Sequence, residues 1–143
     1  MSFDPLPEHL MPVPGTRILP PVLHYGYAVP LDRIMSLDVL RPTPKRASPS
    51  TFLIARTVRQ ASEWLQENVF KARVVTATVM DDQAKFVFSL YTNYTAEERN
   101  GRADVCAVEE KVRDWLSTEG VDMEAKWYVD GDDWYWRWAT ASR

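Results

Sequence analysis

Cysteine is all but missing from this chain. Cys106 stands alone, so no disulfide can close within it, and that fits a reducing compartment. Glycine is sparse too: its five residues are scattered singly, which leaves no loop suited to cradling a phosphate. Only His9 and His24 offer imidazoles, and both fall within the first thirty residues. No apolar run approaches the roughly twenty residues a membrane helix needs. The opening MSFDPLPEHLMPVPG is broken by four prolines and has no apolar stretch of signal-peptide length. These absences lead us to expect a cytoplasmic protein, with no cofactor and no metal. A formal charge of -3 makes nucleic acid an unlikely partner, because neutralising phosphates needs a basic footprint.

What is present reads as one domain over residues 1–143, a length that supports a single sizeable core. Residues 1–30 hold seven of the ten prolines and read as an extended arm without helix or central strand. Ile18, Leu19, Val22, Leu23, Tyr25 and Tyr27 are too apolar for a solvated tail, so the arm should lie on the domain at least from about Ile18 onwards. Residues 31–70 read as two helices. The first is LDRIMSLDVL; the second runs over about 49–69, opened by Ser48-Pro49, with Ile54, Val58, Ala61, Leu65 and Val69 on one stripe.

Residues 71–143 read as hairpin, helix, hairpin. ARVVTATVM and KFVFSLY alternate about an Asp81-Asp82-Gln83 turn, which suggests one face of Val75, Ala77, Val79, Phe86, Phe88 and Leu90. Thr95-Ala96-Glu97-Glu98 has the form of a capping box, interrupted by Gly101. A helix over about 103–118 presents Val105, Val108, Val112, Trp115 and Leu116 and stops at Gly120. The stretch WYVDGDDWYWRW, with four of the six tryptophans, reads as a hairpin turning at Asp130-Gly131. The expected fold is α+β: an antiparallel sheet of about four strands, three helices on one face, and the proline-rich arm in front.

Strand alternation would place Trp127, Trp134, Trp136 and Trp138 together as core. The face left over carries Tyr91, Lys126, Tyr128, Tyr135 and Arg137. Hydroxyl-tipped rings beside cations suit a ligand or partner. Catalytic residues are not evident. A Cys106–His pair has no second element behind it, and Cys106 on its helix reads as a buried thiol. Asp130, Asp132 and Asp133 are explained by turn chemistry without a metal, and Glu109 can pair with Arg113 at i,i+4.

Arg17, Leu19, Pro20 and Pro21 form an Arg-x-Leu-Pro-Pro run. It resembles the core of peptides that SH3 domains bind as polyproline helices. The resemblance implies a protein partner, and Leu23 stands where the usual pattern has a further proline. The leading expectation is a non-enzymatic binding or protein-interaction module using the outer sheet face, the arm, or both. Its partner is a protein or small ligand, and a homodimer is compatible. The alternative is a small enzyme with a Tyr/Arg-lined pocket between arm and sheet.

Overall fold

The computed structural model of the chain describes residues 2–30, 51–80, 85–119 and 124–138. The helix expected at 31–40, the connector after it, the Ser48-Pro49 cap, the Asp81-Asp82-Gln83 turn and the Gly120 stop lie outside those residues. The strands are β1 (Ser2–Phe3), β2 (Ile18–Leu19), β3 (Leu23–Pro30), β4 (Val75–Met80), β5 (Lys85–Thr92), β6 (Lys126–Asp130) and β7 (Arg137–Trp138). The α-helices among the described residues are α1 (Thr51–Leu65), continued by a π-helical turn over Gln66–Phe70, α2 (Ala96–Arg99) and α3 (Ala103–Thr118). The fold is α+β and its sheets are antiparallel. Among the described residues, no helix is long and apolar enough to cross a membrane.

Five strands form the main sheet in the order β1-β6-β3-β5-β4, and β2 and β7 form a separate ribbon. β4 also reaches β6, with Val79 opposite Asp130 and Met80 opposite Val129. The pairings therefore run in a closed circuit from β6 through β3, β5 and β4 back to β6, so the sheet curls until its ends meet. The curl encloses a small cluster of Ala28, Val79, Val87 and Tyr128. Outside it, α1 and α3 cover Tyr27, Val29, Phe86, Phe88 and Leu90. Val58, Ala61 and Leu65 from α1, and Val105, Val112 and Leu116 from α3, supply the helix side of that core, as their spacing requires. A third cluster joins Leu10, Leu23 and Trp127 beneath the N-terminal segment.

Five expectations need correcting. The first thirty residues do contain a central strand: β3 pairs with β5 on one edge and β6 on the other. Residues 22–29 are free of proline, and Pro30 comes only at the strand's end, so no ladder donor is missing inside it. The face combining Val75, Ala77 and Val79 with Phe86, Phe88 and Leu90 does not form. Ala77 stands opposite Val87 and Thr76 opposite Phe88; a one-residue difference in register exchanges faces.

The second hairpin is absent as well. β6 is already paired on both edges, with β3 on one side and β1 and β4 on the other. The chain after Asp130 therefore finds no free edge there, and Arg137–Trp138 pair with Ile18–Leu19 instead. Finally, Cys106 is exposed. It sits one residue, about 100° around the helix, from the buried Val105, and so leaves the stripe that faces the core. The Thr95 capping box also takes another form. The Thr95 hydroxyl accepts from the Thr92 N–H at 2.9 Å, and the short helix ends before Gly101, which adopts φ +80°.

Candidate functional site

The lost hairpin turns the tryptophan-rich stretch outward. Trp134, Trp136 and Trp138 are 56%, 49% and 75% exposed, and Tyr135 between them is 47% exposed. Trp134 and Tyr135 meet edge to face with ring centroids 5.6 Å apart. Ile18, opposite Trp138 in the β2–β7 ribbon, is also exposed. The expectation that these three tryptophans are core is overturned by the missing strand pairing. Trp127 alone of the four is buried, packed with tilted rings against Tyr25 and Tyr91.

The residues expected to share one open face are dispersed. Tyr128 is buried inside the curl. Tyr91 stacks on Tyr25 at 5.1 Å, and its hydroxyl pKa is pushed up to about 12, chiefly by burial. Lys126 is half-buried opposite Gly26 in β3. Tyr135 belongs to the exposed aromatic stretch, and Arg137 to the ribbon, where its Nε is buried without a hydrogen-bond partner among the described residues. In the Arg17–Pro21 run, Arg17 is exposed and Leu19 half-buried, while Pro20 and Pro21 are both buried. The Pro20 carbonyl accepts from the Tyr94 hydroxyl at 2.6 Å, and the Pro21 carbonyl from the Asn93 amide at 2.9 Å. Both prolines are thus held within their own domain, buried and bonded through their carbonyls.

A polar relay that no local pattern announces crosses the inside of the curl. His24 Nδ1 lies 2.9 Å from Ser89 Oγ, and His24 Nε2 lies 2.7 Å from Asp130 Oδ2. A carboxylate only accepts, so Nε2 carries the proton, and in the neutral ring Nδ1 accepts from the Ser89 hydroxyl. The other Asp130 oxygen accepts from the N–H groups of Asp132 and Asp133 at 2.7 and 2.9 Å. Burial works against the Asp130 carboxylate; the His24 and backbone hydrogen bonds outweigh it and hold its pKa down to about 2. The acidic cluster of the sequence is therefore a turn whose leading carboxylate is engaged on both oxygens.

Serine, imidazole and carboxylate in line have the connectivity of a serine-hydrolase relay. Here Ser89 is only 5% exposed, so an acyl group has little access to its hydroxyl. The arrangement ties β3, β5 and β6 together, joining residues 65 and 106 positions apart.

The relay has a pH signature. A carboxylate whose folded pKa lies below its ordinary 3.8 adds stability that is present above that value and lost as pH falls towards 2. The shift corresponds to about 2 kcal/mol. Urea unfolding of the native chain should lose that amount between pH 4 and pH 2, beyond what Asp130→Asn loses. Parallel pH profiles for the two proteins would contradict this account.

A cavity opens between residues 11–19 and residues 93–98; Tyr94 lines it, and no arginine is among its lining residues. Asn93, first residue of an Asn-Tyr-Thr glycosylation signature, is buried, and its amide nitrogen bonds the carbonyls of Leu10 and Pro21. A glycan could not be carried there in this fold. No protein-family model, curated protein or solved structure matches this chain.

Proposed function

We propose that this chain is a protein-interaction module that meets its partner through Trp134, Tyr135, Trp136 and Trp138, with Ile18 beside them. The observation that carries the reading is their exposure, from 47% to 75%, within five consecutive residues. Monomeric proteins rarely leave contiguous aromatic surface in water, and tryptophan and tyrosine are the residues on which interface energy concentrates. The reading keeps the binding class expected from the sequence and moves its site from the outer sheet face to the segment after Asp130.

Substitution separates this surface from the core. Trp136→Ala should change stability by less than about 1 kcal/mol, as exposed positions do, whereas Trp127→Ala should cost about 3–5 kcal/mol. A variant carrying Trp134→Ser, Trp136→Ser and Trp138→Ser should keep its unfolding midpoint and lose any partner, or any self-association seen by sedimentation, that the native chain shows. Retained association, or a Trp136→Ala loss as large as that of Trp127→Ala, would refute the assignment.

A small enzyme is the other reading, favoured by the Ser89–His24–Asp130 relay. It requires that a fluorophosphonate label Ser89 in the native protein and that His24→Gln abolish the labelling. An unlabelled Ser89 would remove it.

A further inference from the structure

The walls of the cavity beside the β2–β7 ribbon divide by chemistry. Met11, Pro12, Pro14 and the ring of Tyr94 give apolar surface, and Glu97 and Glu98 bring two carboxylates to it. The volume, about 310 Å³, lies at the small end of ligand sites and suits a side chain better than a cofactor. Both glutamates are exposed, and among the described residues neither forms an ion pair.

The walls are held from behind. The Thr16 N–H and hydroxyl both bond the Val13 carbonyl, at 3.3 and 2.7 Å, around Gly15 at φ +84°. Asn93 anchors Leu10 and Pro21, and the Tyr94 hydroxyl is spent on Pro20. What Tyr94 has left to offer is its ring face. A site already fixed in shape loses little entropy when it is filled.

Apolar walls, one aromatic face and two unpaired carboxylates match a side chain with an aliphatic stem and a cationic head. From this we infer that the cavity receives an arginine side chain of an extended partner peptide. The stem would lie along the prolines and Met11, with the guanidinium against Glu97, Glu98 and the Tyr94 ring. A planar guanidinium satisfies carboxylates bidentately and stacks flat on an aromatic ring; an ammonium pairs with carboxylates only as a point charge and has no planar face to stack. The inference rests on the reading of the chain as a protein-binding module. It engages a different surface from the tryptophans, so the two can fail separately.

The test is a titration of the isotope-labelled full chain with N-acetyl-arginine methylamide, followed by amide chemical shifts. Saturable shifts are expected at residues 11–16 and 93–98, with a dissociation constant on the order of millimolar for so small a probe. The neutral isostere N-acetyl-citrulline methylamide should bind at least about tenfold more weakly, a loss of about 1.4 kcal/mol. The double variant Glu97→Gln, Glu98→Gln should weaken arginine binding to the same degree; both carboxylates are exposed, so its remaining amide spectrum should be unchanged. Equal binding of the citrulline probe, an unaffected double variant, or shifts absent from residues 11–16 and 93–98 would each overturn the inference. Shifts confined to Trp134–Trp138 would overturn it while leaving the tryptophan surface standing.

Discussion

Gly26→Ala should destabilise the protein by at least about 3 kcal/mol, near the upper end of overpacking changes. The reason lies in how closely β3 and β5 approach at this point. A Cβ on residue 26 would fall onto the Phe88 carbonyl oxygen and crowd the Ser89 Cα, and these are backbone atoms that cannot rotate away. The β3–β5 ladder, irregular between Tyr25 and Gly26, would have to part. Ser89, opposite Gly26, would then lose its approach to His24. The informative control is Gly101→Ala, where nothing lies within 4 Å and only the positive φ is strained; it should cost about 1 kcal/mol. Chemical denaturation of both variants decides the point. A Gly26→Ala protein within 1 kcal/mol of the native one would mean that the strands are not packed this closely.

Asn93→Ala should cost on the order of 4 kcal/mol. The side chain is 2% exposed, and it satisfies three main-chain groups from distant parts of the chain. The Leu23 N–H donates to its Oδ1 at 3.0 Å, and its Nδ2 donates to the carbonyls of Leu10 at 2.8 Å and Pro21 at 2.9 Å. Truncation leaves all three buried and unanswered, each at about 1–3 kcal/mol, with water recovering part of the sum. Asn93→Asp should be no milder, because a carboxylate keeps the acceptor, loses both donors and brings a buried charge. Denaturation and limited proteolysis should agree: the N-terminal segment, pinned at Leu10 and Pro21, should become the first site of cleavage. An Asn93→Ala protein that unfolds at the native denaturant midpoint would show that this node carries no stability.

The two variants bear on parts of the molecule that differ in how far they can be read from the chain. Helical spacing marked Val58, Ala61 and Leu65, and again Val105, Val112 and Leu116, and these residues do face the core. A helix satisfies its own backbone, so its buried side follows from a period of 3.6 without reference to the rest of the fold. The Glu109–Arg113 pair at 2.8 Å follows for the same reason. The α+β class and the antiparallel sheet were legible from the alternating runs.

Apart from the exposed Cys106 and the altered Thr95 cap, the failures concern strand partners. Alternation says that side chains take opposite sides, yet it does not say which strand lies alongside. Trp134, Trp136 and Trp138 alternate as well as any core strand, but both edges of β6 were taken by β1, β3 and β4. The relay of His24, Ser89 and Asp130 left no signal beyond three polar residues near apolar runs, because its members come from three strands far apart in the chain. Local periodicity and turn chemistry thus determined the helices of this protein with their buried sides, and the alternating strands β4, β5 and β6. The closing of the sheet decided which tryptophans are displayed, which carboxylate is engaged and where an open surface remains, because edge pairing is a competition between segments that no single segment contains.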